Sequence, residues 1–299
     1  MEVLTNVGPV ILIAIAGFLL KKLNIFRREH GDFLLMMVFY LTLPALIFDS
    51  FLNIKLDLRF AYLPMITVIL IIAMYLISLA ATKIMKLPGK TAGTFIVGTM
   101  ILNNGFLFPF IYATYGDEGM ARILIFDFVN GLLAFSWVYY IACRYGENGQ
   151  NRRVLLRKLL FAPPGWSIII SITLNLLGYK LPLILAETCD ILGEMTVPLI
   201  MLALGIYFSP RLVRPWQAMA AIGIRMGIGF LIGYFFAELL TLEGLTRTVV
   251  ILGASAPIGF NTLTFASMEK LDRDFAASLV SFAILAGMLY VTIFLTING

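Results

Sequence analysis

Two distant stretches of this sequence carry the polar residues with which an otherwise apolar chain could bind a ligand. One reads Leu-Asn-Asn-Gly-Phe at 102–106, and the other reads Ala-Pro-Ile-Gly-Phe-Asn at 256–261. Proline and glycine interrupt helices, and asparagine is costly in hydrocarbon unless it faces protein or water. We therefore expect two broken helices whose free N–H groups and positive ends, with the asparagine amides, bind a small organic anion such as a carboxylate. The candidate substrate-binding residues are Asn103, Asn104, Gly105, Pro257, Gly259 and Asn261.

Three further polar residues lie within apolar runs and are candidates for coupling. Asp127 is followed one helical turn later by Asn130, so the two share a face, and Arg225 stands alone in its run. A buried acid can carry a proton or cation, and a buried arginine can neutralise an acid or attract an anionic substrate. The alternative is a fixed ion pair between Asp127 and Arg225 that only holds two helices together.

The rest of the composition indicates the environment in which such residues work. Hydrophobic residues make up 61% of the 299 and charged residues 13%, about half the roughly 25% usual in soluble domains. Mean hydropathy is +0.96, so we expect the lipid bilayer to be a partner of the chain. Two cysteines and one histidine exclude a disulfide scaffold and a Cys/His zinc site, and we expect neither a metal nor a cofactor. The basic residues fall in short clusters between apolar runs, so we expect no nucleic acid as a partner.

Apolar runs long enough to cross a bilayer number ten, which predicts an all-α membrane protein with ten transmembrane helices. The segments are Val7–Leu20, Phe33–Leu52, Phe60–Thr82, Thr91–Tyr115, Met120–Cys143, Pro164–Leu181, Leu185–Phe208, Trp216–Leu240, Leu245–Met268 and Phe275–Ile297. Lysine and arginine sort between alternate connections, with 16 after the odd-numbered segments and 5 on the other side. The positive-inside rule then places both termini outside the cytoplasm of a multi-pass protein of the plasma or inner membrane.

The two halves of the sequence align at a constant offset of 154 residues. Thr42 and Pro44 match Thr196 and Pro198, and Gly105 matches Gly259. Each half holds five segments, and an odd number forces the halves into opposite orientations, as in many secondary transporters. We expect a first five-helix repeat at 1–145, a cytoplasmic linker at 146–154 and an inverted repeat at 155–299, with helices four and nine broken and crossing. The alternative is a pair of proline kinks whose asparagines only satisfy freed backbone groups; the matching positions in both halves favour a binding site.

Several of these motifs resemble the auxin efflux carrier family. They are Leu-Pro-Ala-Leu-Ile-Phe at 43–48, Leu-Asn-Asn-Gly-Phe at 102–106 with Pro109 and Tyr115-Gly116, Pro-Leu-Ile at 198–200 with Leu204-Gly205, and Ala256-Pro257. The resemblance covers essentially the whole chain and implies a compact, prokaryotic-type member without the long central loop of plant carriers. It implies a scaffold of helices one, two, six and seven, usually the surface of a homodimer. The remaining helices would form a transport domain that moves against this scaffold like an elevator.

The leading functional hypothesis is a secondary transporter of small organic anions. A sodium-coupled symporter or a proton antiporter of similar inverted-repeat architecture is the alternative, although Asp127 is followed by Phe128 and the paired aspartates expected of such an antiporter are missing. The sequence holds no nucleophile–base set and no HExxH-type pair, so we do not expect an enzyme.

The charge distribution predicts the topology directly. Reporter fusions at Gly299 and Gln150 should localise to opposite faces of the membrane, because five segments separate the two positions. Both reporters on one face would contradict the inverted repeat.

Overall fold

The computed structural model describes residues 2–52, 58–147, 163–208 and 212–298, and within these ranges the regular structure is helical. The linker predicted at 146–154 lies outside the described residues from position 148 onward. The first seven helices are α1 (Glu2–Lys22), α2 (Arg28–Met37), α3 (Leu43–Leu52), α4 (Tyr62–Ile84), α5 (Gly89–Met100), α6 (Asn104–Leu133) and α7 (Tyr139–Tyr145).

Eight helices follow in the second part of the chain. They are α8 (Pro163–Leu176), α9 (Leu183–Glu194), α10 (Thr196–Tyr207), α11 (Pro215–Ile222), α12 (Gly229–Leu239), α13 (Gly244–Ala254), α14 (Asn261–Met268) and α15 (Arg273–Asn298). Short π-helical turns at Val38–Thr42, Ala134–Val138 and Gly223–Ile228 join α2 to α3, α6 to α7 and α11 to α12. Each pair therefore runs on as one helical stretch.

Six helical stretches among the described residues are long and apolar enough to cross a membrane. They are Arg28–Leu52, Tyr62–Ile84, Asn104–Tyr145, Leu183–Tyr207, Pro215–Leu239 and Arg273–Ile297, and Gly244–Ala254 is a shorter apolar helix. Large apolar side chains stand exposed on their outer faces, among them Ile72, Trp216 and Leu289. Such surfaces are stable in contact with lipid rather than water, so the architecture is that of an all-helical membrane protein.

The stretch Asn104–Tyr145 is too long for a single crossing. Its 42 residues would extend about 63 Å as one straight helix, twice the roughly 30 Å of a bilayer core. Gly116 interrupts the helix with φ 55° and ψ −147°, a conformation that only glycine adopts readily. The chain therefore turns at Gly116, between the fourth and fifth predicted segments.

Close backbone contact joins α1 to α10. A Cβ added at Gly17 would collide with the carbonyl oxygen of Leu202, and one added at Gly205 would collide with the carbonyl oxygen of Ala14. Because apolar side chains gain little by leaving lipid for another helix, membrane helices associate through small residues that let the backbones approach. These two glycines therefore fix the spacing of α1 and α10.

We predict that Gly17→Ala destabilises the protein by about 1–3 kcal/mol, because the added methyl group overpacks this contact. Gly8→Ala in the same helix is the matched control, since a Cβ there meets no atom within 4 Å. Thermal unfolding of the purified protein in detergent should show a lower Tm for Gly17→Ala alone. Equal melting of the two variants would show that the contact is not tight.

Candidate substrate-binding site

Two helix interruptions meet at the centre of the molecule. Helix α5 ends at Met100 and α6 begins at Asn104, while α13 ends at Ala254 and α14 begins at Asn261. Leu102 and Ile258 pair as an isolated antiparallel bridge between the two breaks. The Asn103 N–H donates to the Pro257 carbonyl at 2.9 Å, and the Gly259 N–H donates to the Ile101 carbonyl at 3.3 Å. Each interruption thus supplies hydrogen-bond partners that the other lost with its helix.

Asn103 caps the start of α6. Its side-chain oxygen accepts a hydrogen bond from the Phe106 N–H at 3.2 Å, as N-cap asparagines do. Its amide nitrogen Nδ2 is buried and has no hydrogen-bond partner among the described residues. A buried donor without an acceptor is unfavourable, so this nitrogen is free to bind an acceptor that enters from outside the protein.

Asp127 and Asn130 support the first interruption from the side. The Asp127 Oδ1 accepts from the Asn104 amide at 2.9 Å and from the Asn130 amide at 2.7 Å. Asn130 also donates to the Leu102 carbonyl at 3.0 Å and accepts from the Leu102 N–H at 3.2 Å. Both backbone groups of Leu102 are therefore satisfied by one side chain, which Asp127 holds in place.

A cavity of about 1000 Å³ opens beside the crossing. Its polar wall comes from the interruptions and from α6, and its apolar walls come from α2, α3, α8 and α10. No lysine, arginine or histidine belongs to this lining as far as the structure describes the chain. The wall includes four polar residues and four glycines: Asn103, Asp127, Asn130 and Asn261, and Gly105, Gly131, Gly165 and Gly259.

The structure brings most of the sequence-predicted residues to this cavity, but not all. Of the binding candidates, Asn103, Gly105, Gly259 and Asn261 line it. Asn104 is fully buried behind the wall, where it donates to Asp127, and Pro257 contributes its carbonyl to the crossing. Among the coupling candidates, Asp127 and Asn130 face the cavity and Arg225 does not.

The alternative of an Asp127–Arg225 ion pair is wrong. The Arg225 guanidinium donates to the backbone carbonyls of Thr99, Ala254 and Ala256, and no ion pair of Arg225 occurs among the described residues. Asp127 accepts from two asparagines instead. The sequence predicts that both charges are buried, but only the packing of α12 against α13 decides which partners the guanidinium reaches.

A fully buried acid, Glu269, escapes the sequence analysis because it directly precedes Lys270 at a helix end. The Tyr139 hydroxyl donates to its Oε1, and its Oε2 has no partner among the described residues. Its backbone carbonyl accepts from the Glu147 N–H at 3.0 Å. Glu147 itself is exposed, and its hydrogen bond and ion pair with Lys90 hold the pKa of that carboxyl below its usual range.

The sequence also gives no sign of the apolar cavity walls, which come from helices far apart in the chain.

An all-helical membrane protein with a central cavity at two crossed helix interruptions has the architecture of a membrane transporter, and the comparisons with known proteins agree. Residues 2–295 match the membrane transport protein family. An uncharacterized transporter of Methanocaldococcus jannaschii is 28% identical over 280 residues, which is 90% of each chain. An uncharacterized transporter of Methanothermobacter thermautotrophicus is 29% identical over 285 residues, 92% of this chain and 91% of the relative.

The chain belongs to the membrane transport protein family, which confirms the resemblance to auxin efflux carriers drawn from its motifs. It is a multi-pass membrane transporter and not an enzyme.

The network around Asp127 yields a prediction about stability. Asp127→Asn keeps an oxygen that can accept from both amides, whereas Asp127→Leu leaves the buried Asn104 and Asn130 amides without this acceptor. Because an unsatisfied buried donor costs about 1–3 kcal/mol, the leucine variant should be less stable than the asparagine variant by that amount. Thermal melting of both purified variants measures the difference. Equal melting temperatures would show that an acceptor oxygen at position 127 does not help to hold the crossing together.

Proposed function

We propose that the protein is a secondary transporter that carries small organic anions, namely carboxylates, through the cavity at the crossing. The observation that carries the proposal is the buried Asn103 amide, which lines the cavity and has no acceptor among the described residues. Helices α6 and α14 both begin at this cavity, and helix N-termini carry a partial positive charge. A carboxylate placed between the two N-termini would accept from Asn103 and from free backbone N–H groups.

The cavity wall favours a single carboxylate on an apolar body. The positive charge at the crossing comes from helix ends and amides, without a lysine, arginine or histidine in the described lining. Aromatic side chains form much of the remaining wall, among them Phe39, Phe108, Phe128, Phe135 and Phe260. A second carboxylate on the substrate would have to be buried against these rings without a counter-charge, which is strongly unfavourable. We therefore rank monocarboxylates above dicarboxylates as substrates.

Asp127 lines the same cavity and supports proton coupling. A carboxylate substrate and an ionised Asp127 would place two like charges in one cavity with mostly apolar walls, where they repel more strongly than in water. A proton taken up by Asp127 with each anion would remove that repulsion. The proton would then move with the substrate, and a pH gradient would drive accumulation. Asn130 stays at hydrogen-bond distance from Asp127 and could donate to it in either state.

The proposed inverted repeat, 1–145 and 155–299 joined by the linker at 146–154, is supported by backbone features 154 residues apart. Helices α1 and α8 end at Lys22 and Leu176, and α5 and α13 end at Met100 and Ala254. Positive φ angles recur at the same spacing: 60° at Asn24 and 66° at Gly178, then 55° at both Gly116 and Lys270. Matching helix ends and matching turns are what two copies of one five-helix unit would show.

An elevator mechanism is the second part of the proposal, and the helix packing supports it. Helices α1 to α3 pack with α8 to α10, which would form the scaffold, and α4 to α7 pack with α11 to α15. The cavity has walls from both groups, while the crossing lies within the second group alone. A substrate bound at the crossing could therefore travel with the second group. We further propose that the scaffold forms a homodimer in the plasma membrane, with both termini outside the cytoplasm.

Transport by the purified protein in liposomes tests this function. We expect the parent protein to show saturable counterflow of labelled benzoate or hexanoate and weaker exchange of succinate. Asn103→Ala should bind benzoate with an affinity reduced roughly ten- to a hundredfold, since a hydrogen bond to a charged group contributes about 1.5–3 kcal/mol. Asn175→Ala is the matched control, because that amide donates at 2.8 Å to the Phe51 carbonyl, away from the cavity lining. Asp127→Asn should keep counterflow and lose accumulation driven by a pH gradient.

The outcomes separate the parts of the proposal. Absence of carboxylate exchange by a folded, reconstituted protein would overturn the proposed substrate class. Exchange that Asn103→Ala leaves unchanged would remove this amide from the binding site. Accumulation by Asp127→Asn equal to that of the parent protein would rule out the coupling role, and a requirement for sodium would favour the alternative of a sodium-coupled symporter.

A further inference from the structure

Arg225 is a fully buried charge at the crossing that the proposed transport cycle does not yet use. It lies in the π-helical turn Gly223–Ile228, is 0% exposed, and does not belong to the cavity lining. Its Nε donates to the Ala256 carbonyl at 3.2 Å and its Nη1 to the Thr99 carbonyl at 3.3 Å, while its Nη2 donates to the Ala254 carbonyl. Three backbone oxygens from two separate chain segments therefore surround one guanidinium.

All three oxygens lie at or just beyond the C-terminal end of a helix that leads into an interruption. Thr99 lies in the last turn of α5, Ala254 is the last residue of α13, and Ala256 follows in the interruption. The final carbonyls of a helix have no partner within it and carry a partial negative charge of about half an elementary charge in total. Two such ends together offer roughly the one negative charge that neutralises a guanidinium. Among the described residues, Arg225 is thus balanced by backbone dipoles and not by a carboxylate.

The neighbouring helix is shaped to admit this side chain. Gly229 follows Arg225 by one helical turn, and a Cβ there would collide with the Ala254 carbonyl oxygen and stand 2.8 Å from Arg225 Nη2. Only a residue without a side chain lets α12 approach the end of α13 this closely. The π-helical turn adds a residue at this point and so changes the direction in which Arg225 projects. Together these features form a built site for a cation.

We propose that the Arg225 guanidinium is a resident cation that joins the C-terminal ends of α5 and α13. It takes the place that a bound monovalent metal ion could otherwise occupy. Backbone carbonyl oxygens are the ligands that hard metal cations take, and a guanidinium offers the same charge without dissociating. The crossing is then held together in every step of the cycle without sodium or potassium. Arg225 is a positioning residue. It fixes the C-terminal ends of α5 and α13, while the N-terminal ends of α6 and α14, across the two interruptions, bind the substrate.

This inference deepens the proposed function, since it makes the transporter independent of a coupling metal ion at the crossing. It does not depend on the identity of the substrate. Because the joining of the two helix ends can be measured as thermal stability without any substrate, the inference can fail while carboxylate transport is confirmed. Equally, it can hold if the proposed substrates are wrong.

Removal and replacement of the cation tests the inference in detergent-purified protein. Arg225→Ala should melt well below the parent protein, and millimolar ethylguanidinium, which matches the missing part of the side chain, should restore a large part of the lost Tm. Sodium chloride should raise the Tm of this variant more than choline chloride at equal ionic strength, because the vacated carbonyls can bind a metal ion. Arg247→Ala is the matched control: this arginine pairs with Glu238 at the surface, so neither ion should rescue any loss. Melting of Arg225→Ala that responds to neither ion would overturn the inference.

A second pair of variants decides the question if Arg225→Ala cannot be recovered. Arg225→Lys keeps a cation and Arg225→Gln keeps only neutral hydrogen-bond donors, so the lysine variant should melt several degrees higher. A glutamine variant that matches or exceeds the lysine variant would show that the charge is not required. The parent protein should melt at the same temperature in sodium and in choline buffers, and its benzoate counterflow should be the same in both. Stabilisation of the parent protein by sodium would also overturn the inference.

Discussion

The structure depends on a single constraint: backbone polar groups in a membrane must find partners within the protein. Two interrupted helices leave several N–H and C=O groups without helical partners, and here the interruptions pair with each other through Leu102 and Ile258. The close approach requires Gly259, where a Cβ would collide with the Ile101 side chain. Gly287 in α15 similarly leaves room for the Pro257 ring. Substitution at either glycine would therefore act on the crossing before it acts on any ligand.

The polar side chains around the crossing divide into those that stabilise it and those that remain available. Asn130 satisfies the backbone of Leu102, and Asn104 and Asn130 both donate to Asp127. Asn103 uses its oxygen as a cap and keeps its amide nitrogen unpaired. The proline-kink interpretation accounts for the Asn103 oxygen, which accepts from the freed Phe106 N–H, whereas Asn104 donates to the Asp127 carboxylate and not to the backbone. It leaves the Asn103 amide unexplained, and that amide is the group we assign to the substrate.

The sequence predicts the positions of the interruptions well, because Gly, Pro and Asn disrupt helices through local chemistry that needs no partner. It also predicts that Asp127 and Asn130 share a face, since helical spacing alone determines that relation. It fails for Arg225, because a π-helical turn and a glycine one turn away decide where the guanidinium points. It fails for Glu269, because burial of a residue beside Lys270 depends on the packing of α14 against α7. The apolar cavity walls cannot be read from the sequence either, since they combine side chains from four helices, α2, α3, α8 and α10, that share no local sequence signal.

The distribution of charge and hydrogen bonds at the crossing bears on the proposed movement. The negative ends of α5 and α13 are bound by Arg225, and the positive ends of α6 and α14 are left facing the cavity in which we propose that an anion binds. All of these contacts lie within the group formed by α4 to α7 and α11 to α15. A rigid displacement of that group would leave them intact, whereas the boundary with the scaffold is mostly apolar and is bridged by contacts such as the 3.3 Å hydrogen bond from Ser50 to Asp117. Apolar surfaces can slide past one another without losing directional bonds, whereas the hydrogen bonds that shape the binding site would move together with the group that holds them.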